Sequence, residues 1–190
     1  AKNNIIVKAT HTLTFQCPKL AFMFAENHAY FGIGHVLDIG LKWNEEIRKN
    51  SHVFYLTEQS IKSIIKPRQK FSHKGTFGHS LLVVGSYGKM GAAIMSAHSL
   101  LRSGAGLLTV CVPQCGYEIM QTSTHEAMTF VDGNEYLKIK ELNVSSYSSI
   151  GIGPGIGTEK ETQLSVKHIL ESTKNPLVID ADALNALSLN

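Results

Sequence analysis

Two strand-length runs that are apolar almost throughout, Ser80–Val84 and Leu107–Val112, constrain this chain more than any other feature. Neither shows the polar alternation of a half-exposed strand, so each needs cover on both faces. Between them Ala92–Arg102 carries small and apolar residues at helical spacing, and Ser103–Gly106 ends it. A strand, a helix and a strand in that order make two parallel neighbours joined by a crossover. The pattern then repeats. Tyr117–Ser123 reads as a helix, Tyr147–Ile152 as a strand and Leu177–Ile179 as a further short strand. Thr158 starts a helix with Glu161 at capping-box spacing. Leu164, Ile169 and Leu170 are expected to face the sheet, and Asn175–Pro176 ends the helix. The fold class is α/β, a mostly parallel sheet flanked by helices.

Upstream the character changes. Thr10–Phe15 alternates as a half-buried strand does, and Val36–Leu41 is a second candidate ended by Gly40. Leu20–Ala25 is apolar, and Glu26–Tyr30 reads as a turn. Residues 43–72 are polar and charged. Trp43–Asn50 is predicted as a short helix, and Thr57–Ile65 as another, capped by Thr57 and stopped by Pro67. The expected organisation is thus 1–42, a linker with a first helix at 43–72, and an α/β region at 73–190.

In a parallel sheet, ligands bind outside the carboxyl ends of the strands. Three turns follow strands here, so all three belong on that edge. The first is Gly85-Ser86-Tyr87-Gly88-Lys89-Met90-Gly91-Ala92-Ala93. Its glycines let backbone N–H groups approach a ligand, and the next helix aims its free N–H groups at the same place. A tight turn with close helix–sheet packing explains the same residues. The spacing is GxxGxxG, not GxGxxG, and the next strand ends Val110-Cys111-Val112-Pro113 without an acid, so an ordinary dinucleotide fingerprint is disfavoured. The second turn is Gly151-Ile152-Gly153-Pro154-Gly155-Ile156-Gly157, whose constrained path suits a closely approaching ligand or an elaborate turn. The third is Asp180-Ala181-Asp182-Ala183-Leu184-Asn185. Its carboxylates can hold Mg²⁺ or orient a hydroxyl, and one can equally cap the next helix. A fourth element, His73-Lys74-Gly75-Thr76-Phe77-Gly78-His79, offers Lys74 to a phosphate. His73 and His79 lack a clear third metal ligand.

Bulk properties exclude several classes. The chain has 190 residues, 43% hydrophobic and 17% charged, an ordinary globular balance. A net charge of +3 gives no argument for nucleic acid, and the basic stretch Lys62–Lys74 reads as solvated linker. The longest apolar stretches, Leu20–Ala25 and Leu81–Val84, fall far short of the ~20 residues a membrane span needs. Cys17, Cys111 and Cys115 form no CxxC pair and read as reduced thiols of a cytoplasmic protein.

Taken in order, His73-Lys74-Gly75-Thr76-x-Gly78-His79, Val83-Val84-Gly85-Ser86, Gly91-Ala92-Ala93, Arg102-Ser103-Gly104-Ala105-Gly106-Leu107, Gly153-Pro154-Gly155-x-Gly157 and Ile179–Asn185 resemble the NAD(P)H-hydrate dehydratase family. That is the carboxy-terminal, ribokinase-like domain of the YjeF-type repair proteins. Thr12–Phe15, Pro18-Lys19 and Val36–Gly40 resemble the last strands of the partner domain, the NAD(P)H-hydrate epimerase. The resemblance implies a piece of a bifunctional protein, cut across the junction, with an incomplete first half of the dehydratase. It implies repair of hydrated NADH or NADPH with ADP or ATP and Mg²⁺, and an epimerase activity in the whole protein. Ala92 and Gly155 would contact the hydrated dinucleotide, with Gly88, Gly91, Gly153 and Asn185 around them. Asp180 and Asp182 would sit beside the reacting groups. Thr14 matches a position that helps hold potassium in the epimerase. The family's catalytic aspartate, in a GTGD turn, and its nucleotide loop are expected beyond Asn190, so the chain alone is expected to be inactive. A homo-oligomer is expected from the family. A ribokinase-like kinase for a vitamin precursor or sugar shares the fold and turns. A non-catalytic interaction fragment is the reading from another class.

Overall fold

The computed structural model describes residues 5–42, 53–140 and 142–189. The helix predicted over Trp43–Asn50 lies outside the described residues. The chain divides into two compact units, Ala1–Lys66 and Pro67–Asn190.

In the first unit β1 (His11–Phe15) pairs in parallel with β2 (Ile33–Leu37), His11 opposite Ile33 and Phe15 opposite Leu37. The second strand therefore starts three residues before the predicted Val36–Leu41 and stops at Leu37. Gly34 and His35 give no apolar signal, so hydrophobicity points too far along the chain. The stretch 26–30, predicted as a turn, is wound instead. A 3₁₀ turn at Ala25–Asn27 leads directly into α1 (His28–Phe31). The predicted cap downstream is present: Thr57 Oγ1 accepts a hydrogen bond from the Ser60 N–H at 3.2 Å and starts α2 (Glu58–Ile64).

The second unit is a parallel sheet of five strands in the order β5 (Met128–Val131), β4 (Leu107–Val112), β3 (His79–Val83), β6 (Ser149–Ile152), β7 (Leu177–Ile179). Its helices are α3 (Met90–Arg102), α4 (Tyr117–Ser123), α5 (Lys160–Ser172) and α6 (Asp182–Ser188). The near-continuous apolar runs have the expected cause, because both faces of the sheet are covered. Leu81 and Val83 pack with Ile150, Ile152, Val166 and Ile169 on one face. Leu82 and Val84 pack with Val110, Met90, Ala93 and Met120 on the other. At the amino end of the strands, Ser80 and Ser149 are register partners whose hydroxyls lie 2.9 Å apart.

Two expectations change here, and one strand was not foreseen. The capping box at Thr158 does not form: α5 starts at Lys160, and its N-cap, Glu159, makes no side-chain cap bond. Thr158 instead offers its carbonyl to the Gln163 amide at 2.8 Å. Leu164 points outward with 57% of its surface exposed, while Thr162, Ser165, Val166 and Ile169 form the buried stripe. Ile169 lies in the core and Leu170 packs against it, as expected, so only Leu164 falls off the stripe. The strand β5 was not legible, since its Met-Thr-Phe-Val sits at the sheet edge, half-exposed throughout.

Candidate functional site

The turns after β3, β6 and β7 leave the sheet side by side. Val83 is the register partner of Ile152, and Ile152 of Ile179, so the three strand ends form one row. Backbone and side-chain bonds then tie the turns together. The Gly85 N–H donates to the Pro154 carbonyl at 2.9 Å, and the fully buried Ser86 hydroxyl donates to the Gly155 carbonyl at 2.7 Å. A methyl group on Gly155 would lie 3.0 Å from Ala92 Cβ and from the Lys89 carbonyl. Gly153 packs against the third turn. Its φ is +135°, and the Asp180 carbonyl fills the place a side chain would need. The Asp180 N–H closes the row by donating to the Ile152 carbonyl at 3.0 Å.

Asp182 joins all three turns. Its Oδ2 accepts from the Gly157 N–H at 2.9 Å and from the Lys89 ammonium at 3.2 Å. The Asn185 amide donates to its Oδ1 at 3.4 Å. Partial burial opposes ionisation of this carboxyl, but the Gly157 N–H, the Lys89 charge and Asn185 outweigh it and hold its pKa below the usual carboxylate value. As the first residue of α6, Asp182 also sits at the positive end of that helix. The residue before it, Ala181, has φ +47° and ψ −121°, a conformation L-residues avoid. Asp180 turns its side chain to solvent. Among the described residues no group of three His, Cys, Asp or Glu side chains stands together as a metal site would require. Asp182 is thus paired with the Lys89 ammonium and the Gly157 N–H.

The structure therefore brings Gly88, Gly91, Ala92, Gly153, Gly155, Asp180, Asp182 and Asn185 to one rim. Thr14 belongs to the other unit, where it is buried on β1 and its hydroxyl donates to the Cys17 carbonyl at 3.4 Å. Lys74, offered to a phosphate by the sequence, is not among the residues of this rim. It lies in a 3₁₀ turn that leads into the start of β3, at the other end of the strands. His79 is likewise structural, with Nε2 2.8 Å from the Thr109 hydroxyl and its ring edge-on to Tyr147.

Sequence reasoning missed two parts. Ser86 had only a place in a motif and Lys89 no assigned role, yet both make bonds that join the turns. The segment 133–135 gave no signal, because it acts through its backbone. The carbonyls of Gly133, Asn134 and Glu135 accept from the N–H groups of Gln114, Cys115 and Tyr87 at 2.9, 3.0 and 2.8 Å. Glu135 thereby braces the first turn, and Gly133 and Asn134 hold the turn after β4. Between this brace and α3 lies an open depression of about 390 Å³, lined by Tyr87, Gly88, Met90, Gly91, Ile94, Cys115 and Ile119. Behind the second turn, Glu159 Oε2 and Thr162 Oγ1 are buried without a hydrogen-bond partner.

Known proteins share this fold and sequence pattern. A family model described as NAD(P)H-hydrate dehydratase matches residues 80–190. The bifunctional NAD(P)H-hydrate repair enzyme of Moorella thermoacetica is 32% identical over 96% of this chain and 36% of its own length. The ADP-dependent (S)-NAD(P)H-hydrate dehydratase of Lactococcus lactis is 36% identical over 68% of this chain and 46% of its own. The Bacillus subtilis ADP/ATP-dependent NAD(P)H-hydrate dehydratase, crystallized with ATP/Mg²⁺, superposes with a TM-score of 0.62 at 32% identity, covering 70% of this chain and 47% of that one. The chain thus spans about a third of the length of the bifunctional relatives it matches.

Proposed function

Because the chain belongs to the NAD(P)H-hydrate dehydratase family, we propose that the protein it comes from repairs nicotinamide nucleotides, converting hydrated NADH or NADPH back to the reduced coenzyme. ADP or ATP, brought with Mg²⁺ as co-substrate, phosphorylates the hydroxyl on the hydrated ring. The carbon–oxygen bond then breaks, phosphate leaves, and a neighbouring ring carbon gives up a proton to restore the double bond. Such a reaction depends on positioning and charge stabilisation more than on covalent help from the protein.

The observation that carries this reading is the shared rim: Asp182 ties the first turn through Lys89 and the second through Gly157. In this reading Ala92 and Gly155 contact the hydrated dinucleotide, with Gly88, Gly91, Gly153 and Asn185 completing the cradle. Asp182 keeps the turns in register, and exposed Asp180 faces the reacting groups. The first unit belongs to an epimerase domain, in which Thr14 helps hold potassium. A reduced, cytoplasmic setting fits the free thiols Cys17, Cys111 and Cys115, and assembly as a homo-oligomer follows the family.

The test is to mix the parent protein with hydrated NADH and ADP or ATP and follow the near-ultraviolet absorbance of restored NADH. Gly155→Val should abolish conversion while far-ultraviolet circular dichroism stays unchanged. Phosphorylation of a sugar or vitamin-precursor alcohol, with no conversion of the hydrate, would overturn the reading in favour of the kinase.

A further inference from the structure

The rim divides into two chemically different parts. One carries charge: Lys89, Asp182 and the exposed Asp180. The other is the depression beside α3, whose lining of Tyr87, Gly88, Met90, Gly91, Ile94, Cys115 and Ile119 contains no charged side chain. Its size falls within the range of small-molecule sites. Tyr87 stands at its mouth with 64% of its surface exposed, and the Tyr87 N–H is pinned to the Glu135 carbonyl. Gly88 and Gly91 have no neighbour within 4 Å of the place a side chain would occupy, so the surface beside Tyr87 is open. An exposed aromatic ring beside an open depression with no charged side chain suits a neutral planar ring.

We propose that this depression takes the adenine base of the dinucleotide, with Tyr87 as the stacking residue. The inference rests on the proposed repair function for its ligand. A hydrated dinucleotide has one ring made non-planar by saturation and one that remains aromatic. The saturated ring carries the hydroxyl that must be phosphorylated, so it belongs with the charged side of the rim. The pyrophosphate linker spans the first turn near Lys89 and the start of α3, whose free N–H groups favour an anion. The aromatic base is left for the apolar side. Tyr87 is thus a positioning residue that sets affinity for the adenosine half and takes no part in the chemistry.

The experiment uses the parent protein and two ligands, hydrated NADH and the hydrated nicotinamide mononucleotide that lacks adenosine. Tyr87→Ala should weaken the dinucleotide about tenfold, in line with loss of one base–aromatic stack, and leave the mononucleotide unchanged. Tyr87→Phe should behave as wild type. ADP-ribose, which has no nicotinamide ring, should protect half-buried Cys115 from maleimide, read by mass spectrometry of its peptide. If Tyr87→Ala weakens both ligands equally, or Cys115 stays open to maleimide with dinucleotide bound, the adenine pocket is wrong. Failure of hydrated NADH to bind, with ADP-ribose protection intact, would overturn the repair reading and keep the pocket.

Discussion

Ala181 sits between the two carboxylates of the third turn with a positive φ that its side chain resists. Backbone in such a region costs on the order of 1–3 kcal/mol and persists where surrounding bonds enforce it. Here the Asp180 N–H and carbonyl and the Asp182 carboxylate hold both flanks. Ala181→Gly should therefore stabilise the second unit by about 1 kcal/mol, measured as a rise in urea midpoint at constant slope. Its neighbour predicts a pH dependence. Asp182 has a folded pKa below the unfolded carboxylate value of ~3.9. Its contribution is fully present above that unfolded value and is lost as pH falls through the lower folded one. Urea titrations across the acid range should show that loss in the wild type, and Asp182→Asn should flatten it. Thr162 presents the converse case. Its hydroxyl is buried and unpartnered, so Thr162→Val should raise stability by about 1 kcal/mol. A fall would mean that an ordered water satisfies the hydroxyl.

The turns also separate two uses of glycine. Gly88 has φ +75° with open space around it, whereas Gly153 has φ +135° with the Asp180 carbonyl against its α-carbon. Gly88→Ala should cost about 1 kcal/mol, the strain of the conformation alone. Gly153→Ala must push the third turn away and should cost about 3 kcal/mol or more, since strain and collision add. A thermal-shift comparison that ranked them equal would refute the close approach. Elements whose signal is local were legible in the sequence. Leu107–Val112, Tyr117–Ser123 and Leu177–Ile179 match their predicted bounds. Those shaped by tertiary context were not. The half-exposed Met128–Val131 is a strand because Val112 and its neighbours offer a ladder, not because its own residues demand one. Leu137 and Ile139 are buried in an irregular segment, where no periodicity exists to reveal them. For the rim, glycines and carboxylates announced the turns, but no motif names the partners of the bonds that join them, which run from Ser86, Lys89 and the main chain.

On the scale of the molecule, the ligand proposed here would lean on all three turns of the second unit at once. Hydrated NADH at a hundred times its dissociation constant should then stabilise the parent protein by about 2.7 kcal/mol. Differential scanning calorimetry reads this as a higher melting temperature, and Gly155→Val should remove it. The sheet gives the rim a dependence that reaches beyond contact. At the far end of β3 and β6 the Ser80 and Ser149 hydroxyls meet across the central pair of strands. A strand has a period of two, so slipping that pair by a single residue would swing Gly153 to the wrong side of the pleat. The cradle's alignment is thus inherited from pairing that begins a whole strand's length away, at residues that touch no ligand.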